Sequence, residues 1–358
     1  MTASTAVIVE DVPLVHTTQL LPINDAREVV ALDDAAVQVE RVWARLQLVL
    51  HEAGSDLNRI AKLNWYVARE ETAEIVRRSL ADRLAAERQP AVSMVVTELP
   101  LKDALVAVDA VAAAPINSAG DGVRRTASAA IMPPGSRIYV SGQAEPGTLR
   151  EATRKTLESL AVTLKHCGRG NQDIVQLKCF LQPIVSVAEV REEIAKYFGA
   201  ERTPPVSFVE WRSNLPIEIE LVAWGGPAKS NANASLEFLT PPAMKASPLF
   251  SRVTQIHRGG TIFFSDLAGS AGAAADGQLQ DSFEKLRSLL DKTGSDFKHL
   301  VKATYYVTND EASRAHNAIR PKYFDPARPP AASKALVTGT GRPGVRYVMD
   351  MIAVPHTK

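Results

Sequence analysis

HEAGSDL at 51–57, KHCGRGN at 165–171 and DKTGSDF at 291–297 decide how this chain is read. Their glycines, Gly54, Gly168 and Gly294, are separated by 114 and 126 residues. The same two offsets relate PAVS (90–93), PPVS (204–207) and PAAS (330–333), so three segments run in gapless register from glycine to serine. Self-similarity of this kind marks a tandem repeat of one structural unit.

Working outward, the residues before each glycine align as Trp43, Leu157 and Phe283, then Leu46, Leu160 and Leu286, then Leu50, Leu164 and Leu290. The i, i+3, i+7 spacing is one face of an α-helix. A glycine just beyond suits the left-handed residue that ends a helix. Downstream, Leu63, Leu177 and Ala303 are followed two residues later by Trp65, Cys179 and Tyr305, and two later again by Val67, Leu181 and Val307. That step of two is a strand. A more polar helix follows (Thr72–Glu87, Val185–Phe198, Glu311–Phe324), then the Pro-x-x-Ser strand and a last strand ending at Ala112, Ala223 and Ala353. Each unit therefore reads β–(β)–α–β–α–β–β, an α+β fold. The units span 1–114, 125–226 and 236–358, with joints at Ala113–Arg125 and Gly225–Ala234.

Composition disfavours several functions. Lys+Arg 41 against Asp+Glu 40 gives a net charge of +1, which forecasts neither nucleic acid nor a membrane surface as partner. No run approaches the ~18 apolar residues of a membrane helix, and Met1–Glu10 has no basic start of a signal peptide. The two cysteines, Cys167 and Cys179, have no metal or redox spacing and are expected reduced, in the cytoplasm. The seven histidines form no H-x-x-x-H pair, and no nucleotide-binding or nucleophile-elbow motif is present. Neither a metal nor a cofactor is expected.

RTPPVSFVEWRSNLPIEIELVA (202–223), with Tyr197-Phe198 before it and SGQ at 141–143, resembles the RidA/YjgF family, also labelled L-PSP endoribonuclease. The third unit is similar through GSDFKHLVKATYYVTND (294–310), HNAIRPKYF (316–324), ARPPAASKALV (327–337) and MDMIAV (349–354); the first is identified by register with the other two. The resemblance implies chorismate-mutase-like units, and a trimer with a central β-barrel, outer helices and small-molecule pockets at the three interfaces. Three units in one chain imply a trimer made covalent, a single-chain pseudo-trimer whose linkage turns association into an intramolecular event, with further association left open.

The resemblance also implies an activity, cofactor-free hydrolysis of enamines and imines, in which an arginine before the Pro-x-x-Ser serine grips the substrate carboxylate. Here that position is Val92, Val206 and Ala332. The family's pocket glutamate carries over to Glu218 alone, opposite Ala107 and Val348, and is the candidate catalytic group. The second acid of that strand is present throughout as Asp109, Glu220 and Asp350, a row expected to form a buried polar network. Binding candidates are the turn Ser141, Gly142 and Gln143, with counterparts Thr17-Thr18-Gln19 and Ser265-Asp266-Leu267; Phe208 and Lys334 after the serine; and Asn317, whose counterparts are Arg77 and Arg191. An open, polar-lined interface at Glu218 would favour an enzyme, whereas one filled by Phe208 and its neighbours would favour a scaffold. The expected function is binding or transforming a small metabolite in an inter-unit cleft. A non-catalytic scaffold is the alternative, and ribonuclease activity is disfavoured by the charge balance.

The missing arginine yields the first prediction. Losing a buried charged hydrogen bond costs ~2–5 kcal/mol, or ~30-fold and more in rate. Imines formed by dehydration of serine or threonine should show little or no turnover in a coupled keto-acid assay. Turnover matching an arginine-bearing relative would contradict this.

Overall fold

The computed structural model describes residues 3–84, 88–229, 234–242, 244–265 and 267–356. Unit 1 comprises β1 (Ala6–Val9), β2 (Leu14–Thr17), α1 (Ala35–Glu52), β3 (Ile60–Val67), α2 (Glu70–Arg83), β4 (Ala91–Val96) and β5 (Val106–Ala113). Unit 2 comprises β6 (Arg124–Arg125), β7 (Ala129–Met132), β8 (Ser136–Gln143), α3 (Leu149–His166), β9 (Ile174–Leu181), α4 (Val187–Phe198), β10 (Val206–Glu210) and β11 (Ile217–Gly226). Unit 3 comprises β12 (Leu236–Leu239), β13 (Val253–Ile256), β14 (Thr261–Phe264), β15 (Leu267–Ala268), α5 (Ala275–Lys292), β16 (Leu300–Val307), α6 (Asp310–Ile319), β17 (Ala331–Leu336) and β18 (Tyr347–Ala353). The offsets of 114 and 126 carry α1 onto α3 and α5, and β3 onto β9 and β16, residue for residue. The repeated glycines have φ of 83°, 70° and 66°, the left-handed conformation expected after a helix.

Each unit presents its long helix to one face of its sheet. Trp43, Leu46 and Leu50 of α1 pack on Leu63, Trp65 and Val67 of β3, and the equivalent rows build the cores of units 2 and 3. The pleat turns the alternate residues of β3, β9 and β16 to the opposite face, which is also buried, so all eight residues of each strand are shielded.

The units are joined by exchange of strands. β7 of unit 2 pairs antiparallel with β2 of unit 1, β13 of unit 3 with β8 of unit 2, and β1 of unit 1 with β14 of unit 3. The exchange closes a ring of three six-stranded sheets. The two joints lie beside exchanged strands; residues 230–233 of the second, and the end of the first polar helix at 85–87, are outside the described residues.

The expected barrel does not form, because none of the sheets closes on itself. At the outer edges of β4 and β17 the adjoining sheet contributes single bridges instead of a ladder: Ser4, just before the exchanged β1, meets Ala91, and Ser251, just before the exchanged β13, meets Ala331. These edge strands, like β10, follow prolines (Pro90, Pro205, Pro330), which have no N–H with which to extend a ladder.

Between the sheets lies a small cavity of about 60 Å³ lined by charged groups from all three units. Lys62 Nζ sits 2.8 Å from Asp350, and Lys302 Nζ 2.5 Å from Glu220. Asp109 accepts from Asn64 (2.7 Å), Tyr66 (2.6 Å) and Ser207 of unit 2 (2.6 Å). Lys178 is the third cation of this network and feels both Asp109 and Glu220. Three lysines thus balance the three acids of the repeated row, and each of these bonds except those of Asn64 and Tyr66 joins two units. Neutral His16, whose burial lowers its pKa to about 4, faces Gln176 at 3.2 Å.

Removing one partner of a buried ionic network strands the others without solvent. Asp109→Ala should therefore lower stability by ~3–5 kcal/mol in urea unfolding of the whole chain. A loss below ~1 kcal/mol would show that the network does not hold the units together.

Candidate functional site

The three junctions between units are built alike and lined differently. In each, a strand end of one unit meets the serine strand and second helix of the next.

At the junction of units 2 and 3, Ser141 Oγ donates to Ser251 O (2.6 Å) and accepts from Ala332 N–H (2.8 Å). Gly142 N–H donates to Ser333 Oγ at 3.1 Å. Glu218 of β11 lies against this turn so closely that a β-carbon at position 142 would come within 2.0 Å of its Oε1 and would push the carboxylate aside. Lys334 Nζ donates to Ser313 Oγ (2.9 Å) and Asn317 Oδ1 (3.2 Å). Five candidates, Ser141, Gly142, Glu218, Asn317 and Lys334, therefore converge here. Although Glu218 as a residue keeps some solvent contact, its Oε1 is sealed and without a partner. Burial raises its pKa to about 7, and the like charge of Glu220 adds to the rise; Ser333, Lys302 and Lys334 oppose it. Gln143 does not join them. Its Nε2 turns inward to Thr163 of α3 at 2.8 Å.

At the junction of units 1 and 2 lies an open cleft of about 720 Å³. Phe208 is here and so does not fill the interface at Glu218, because the serine strand of unit 2 faces unit 1. Gln19 brackets the Phe208 backbone, donating to its O (2.9 Å) and accepting from its N–H (3.3 Å), while Thr18 Oγ1 donates to Val206 O (2.9 Å). The Arg191 guanidinium of α4 stacks over the Phe208 ring, 5.1 Å from its centre. Arg27 and Arg125 also line the cleft, with Glu201 the one acid among the lining residues. Arg125 is committed to the carbonyls of Asn171, Gln172 and Ile174. Among the described residues Arg191 has no ion pair; burial, and then the positive charge of Arg27, pull its pKa down.

At the junction of units 3 and 1 the cavity is about 250 Å³, and it contains Ser265 and Val348, the counterpart of Glu218. The Ser265 hydroxyl donates to Ser4 O. Asp266 of the same turn lies outside the described residues. Arg77, the counterpart of Arg191, is tied to Glu74 (3.4 Å) and to Gly341 O. Nothing in the sequence around Arg191 singles it out as a ligand group. The signal is its row, in which Arg77 and Asn317 have polar partners within the fold and Arg191, among the described residues, has only the Phe208 ring.

The family model described as endoribonuclease L-PSP matches residues 4–114, 126–224 and 242–354. The chain belongs to this family, RidA/YjgF, three times over. RutC family proteins of Pyrococcus horikoshii and Pyrococcus abyssi are 28% identical over 88 residues and 27% over 103, covering 24% and 25% of this chain and 68% and 80% of their own lengths. Among solved structures, a YjgF family member of Neisseria meningitidis is similar at 22% identity and a TM-score of 0.27, covering 34% of this chain and 97% of that one. Yeast Mmf1 is similar at 23% identity and a TM-score of 0.26, covering 31% and 86%. No helix among the described residues is long and apolar enough to cross a membrane.

Glu218 provides a pH signature. Its carboxyl titrates near 7 in the folded chain against 4.5 for an ordinary glutamate, so the folded state holds the extra proton between those values. Stability from this group is complete below about 4.5 and is lost as pH rises to about 7. Within that window each pH step of one costs ~1.4 kcal/mol. Glu218→Gln should remove that slope in chemical unfolding followed from pH 5 to 8, and should be the more stable form at pH 8. An unchanged slope would place the carboxyl in an ordinary solvated setting.

Proposed function

We propose that this chain binds a small anionic metabolite in the cleft between units 1 and 2. The carrying observation is Arg191, a guanidinium on the cleft wall stacked on Phe208, beside Arg27, with no carboxylate partner among the described residues. Two like charges side by side with no counter-charge make the cleft attractive to an anion, and a guanidinium fork suits carboxylate or phosphate. The family's carboxylate-gripping position is Val206 in this cleft, so the cation arrives from helix α4 instead of the serine strand. Such a ligand would lie differently from an imine held by a strand arginine, which is why the standard deaminase reaction is not proposed. Thr18, Gln19 and Phe208 complete the site.

A second reading concerns the junction of units 2 and 3. A carboxyl with a pKa of about 7 beside Lys334 is suited to general acid–base catalysis, and supports a cofactor-free hydrolytic reaction on a small molecule, with Glu218 exchanging the proton. Ser141, Gly142, Asn317 and Lys334 would orient the substrate. The unpartnered Oε1 favours this reading over a purely structural Glu218.

The test of the first reading is a thermal-shift screen of small carboxylates and organic phosphates, because any ligand of the native state raises its melting temperature. At least one anion should stabilise the chain, and Arg191→Met should weaken it tenfold or more while the unliganded melting temperature is retained or raised. An anion whose shift survives Arg191→Met would refute this location. Glu218→Gln should spare binding at Arg191 and abolish only turnover.

A further inference from the structure

Unit 3 carries a cluster that its two sister units lack. The turn after the repeated glycine holds Asp296 and His299, and the chain leaving β18 brings His356 beside them. Asp296 Oδ1 lies 2.7 Å from His299 Nδ1, and Asp296 Oδ2 lies 3.2 Å from His356 Nε2. The two imidazole rings are 4.5 Å apart, and one donor atom from each residue lies within 4.8 Å of the others. From these positions we infer a divalent transition-metal site, with Zn²⁺ the best match to two imidazoles and one carboxylate.

The geometry fits such an ion. Zinc–nitrogen and zinc–oxygen bonds of about 2.0–2.2 Å place tetrahedral ligand atoms ~3.4 Å apart; each imidazole already lies near that distance from one carboxylate oxygen, and one donor atom from each of the three residues falls within 4.8 Å of the others. The backbone already holds the partners in place. His356 N–H donates to Gly294 O at 2.7 Å, and Val354 N–H donates to His299 O at 3.0 Å. Asp296 is oriented by the amide of Lys298, which donates to its Oδ1 at 2.7 Å. The ligands therefore need only small side-chain rotations, and their partial exposure leaves the remaining coordination position to water.

Comparison among the units separates this from an ordinary ion pair. At the same place in unit 1, Asp56 pairs with Arg59 at 3.2 Å, a surface contact three residues apart. Unit 3 replaces that arginine, which cannot bind a metal, with a histidine, which can. It then adds a second histidine where the strand register puts Pro115 and Gly226 in units 1 and 2. Two independent substitutions have thus placed metal-binding nitrogens on one carboxylate. His299 and His356 are 57 residues apart in sequence (356 − 299), so no spacing motif announces the site. A bound ion would clamp the segment after β18 to the turn before β16, away from the clefts.

The test is calorimetric titration of the full chain, free of any histidine tag, with Zn²⁺ at pH 7.5, repeated with Co²⁺ to read the visible spectrum of the centre. One equivalent should bind, with the visible absorption of a four- or five-coordinate cobalt ion. His356→Ala and His299→Gln should each weaken binding tenfold or more, and His51→Ala, at an exposed histidine elsewhere, should leave it unchanged. Binding should also weaken in acid, because only unprotonated imidazole ligates a metal. His356 is exposed, so its substitution does not threaten the fold. No saturable binding, or binding that both site variants retain, would overturn the inference.

Discussion

Every junction in this molecule depends on one constraint: each unit surrenders an edge strand to the sheet of another. β7, β13 and β1 hydrogen-bond into sheets that are not their own, and this converts exposed sheet edges into paired ones. The last exchange matters most, because it returns Ala6–Val9 to Thr261–Phe264 and closes the ring. With the ring closed, the strand end of one unit is held against the serine strand of the next, and a cleft arises at each contact.

Closing the ring also buries the inner faces of three sheets, and those faces carry charge. Lys62, Lys178 and Lys302 against Asp109, Glu220 and Asp350 give a network with no net charge. Such a network adds less to stability than its contacts suggest, because desolvation offsets most of the attraction. Its stronger effect is on specificity: Lys62–Asp350, Lys302–Glu220 and Asp109–Ser207 each require a particular neighbouring unit.

Much of this is legible in the sequence. The gapless offsets of 114 and 126 locate α1, α3 and α5 and the central strands, because helical and strand periods and a capping glycine leave local marks. The row of Asp109, Glu220 and Asp350 reads as a buried network, and it is one. What is not legible depends on contacts between units. Nothing local in Ala6–Val9 shows that it belongs to the third sheet, and the repeats do not reveal that prolines interrupt the ladders and leave the sheets open. Phe208 and Glu218 are close in sequence, yet they face different junctions, since β10 and β11 lie on opposite sides of β9 and serve the unit on either side. Gln143 likewise looks like part of the turn that meets a ligand, but its amide finds Thr163 within its own unit.

Fusion has allowed the three clefts to diverge in a way that three identical subunits could not. Arg191, Asn317 and Arg77 occupy one structural position; they are respectively stacked on Phe208, bonded to Lys334 and paired with Glu74. Glu218 likewise stands opposite Ala107 and Val348. The three clefts of one chain are therefore non-equivalent, and the anion site proposed above would be present once. The most direct measurement is the stoichiometry of that anion by equilibrium titration of the intact chain. One molecule should bind per chain, and none at the same concentrations after Arg191→Met. Three equivalent molecules per chain would contradict the claim.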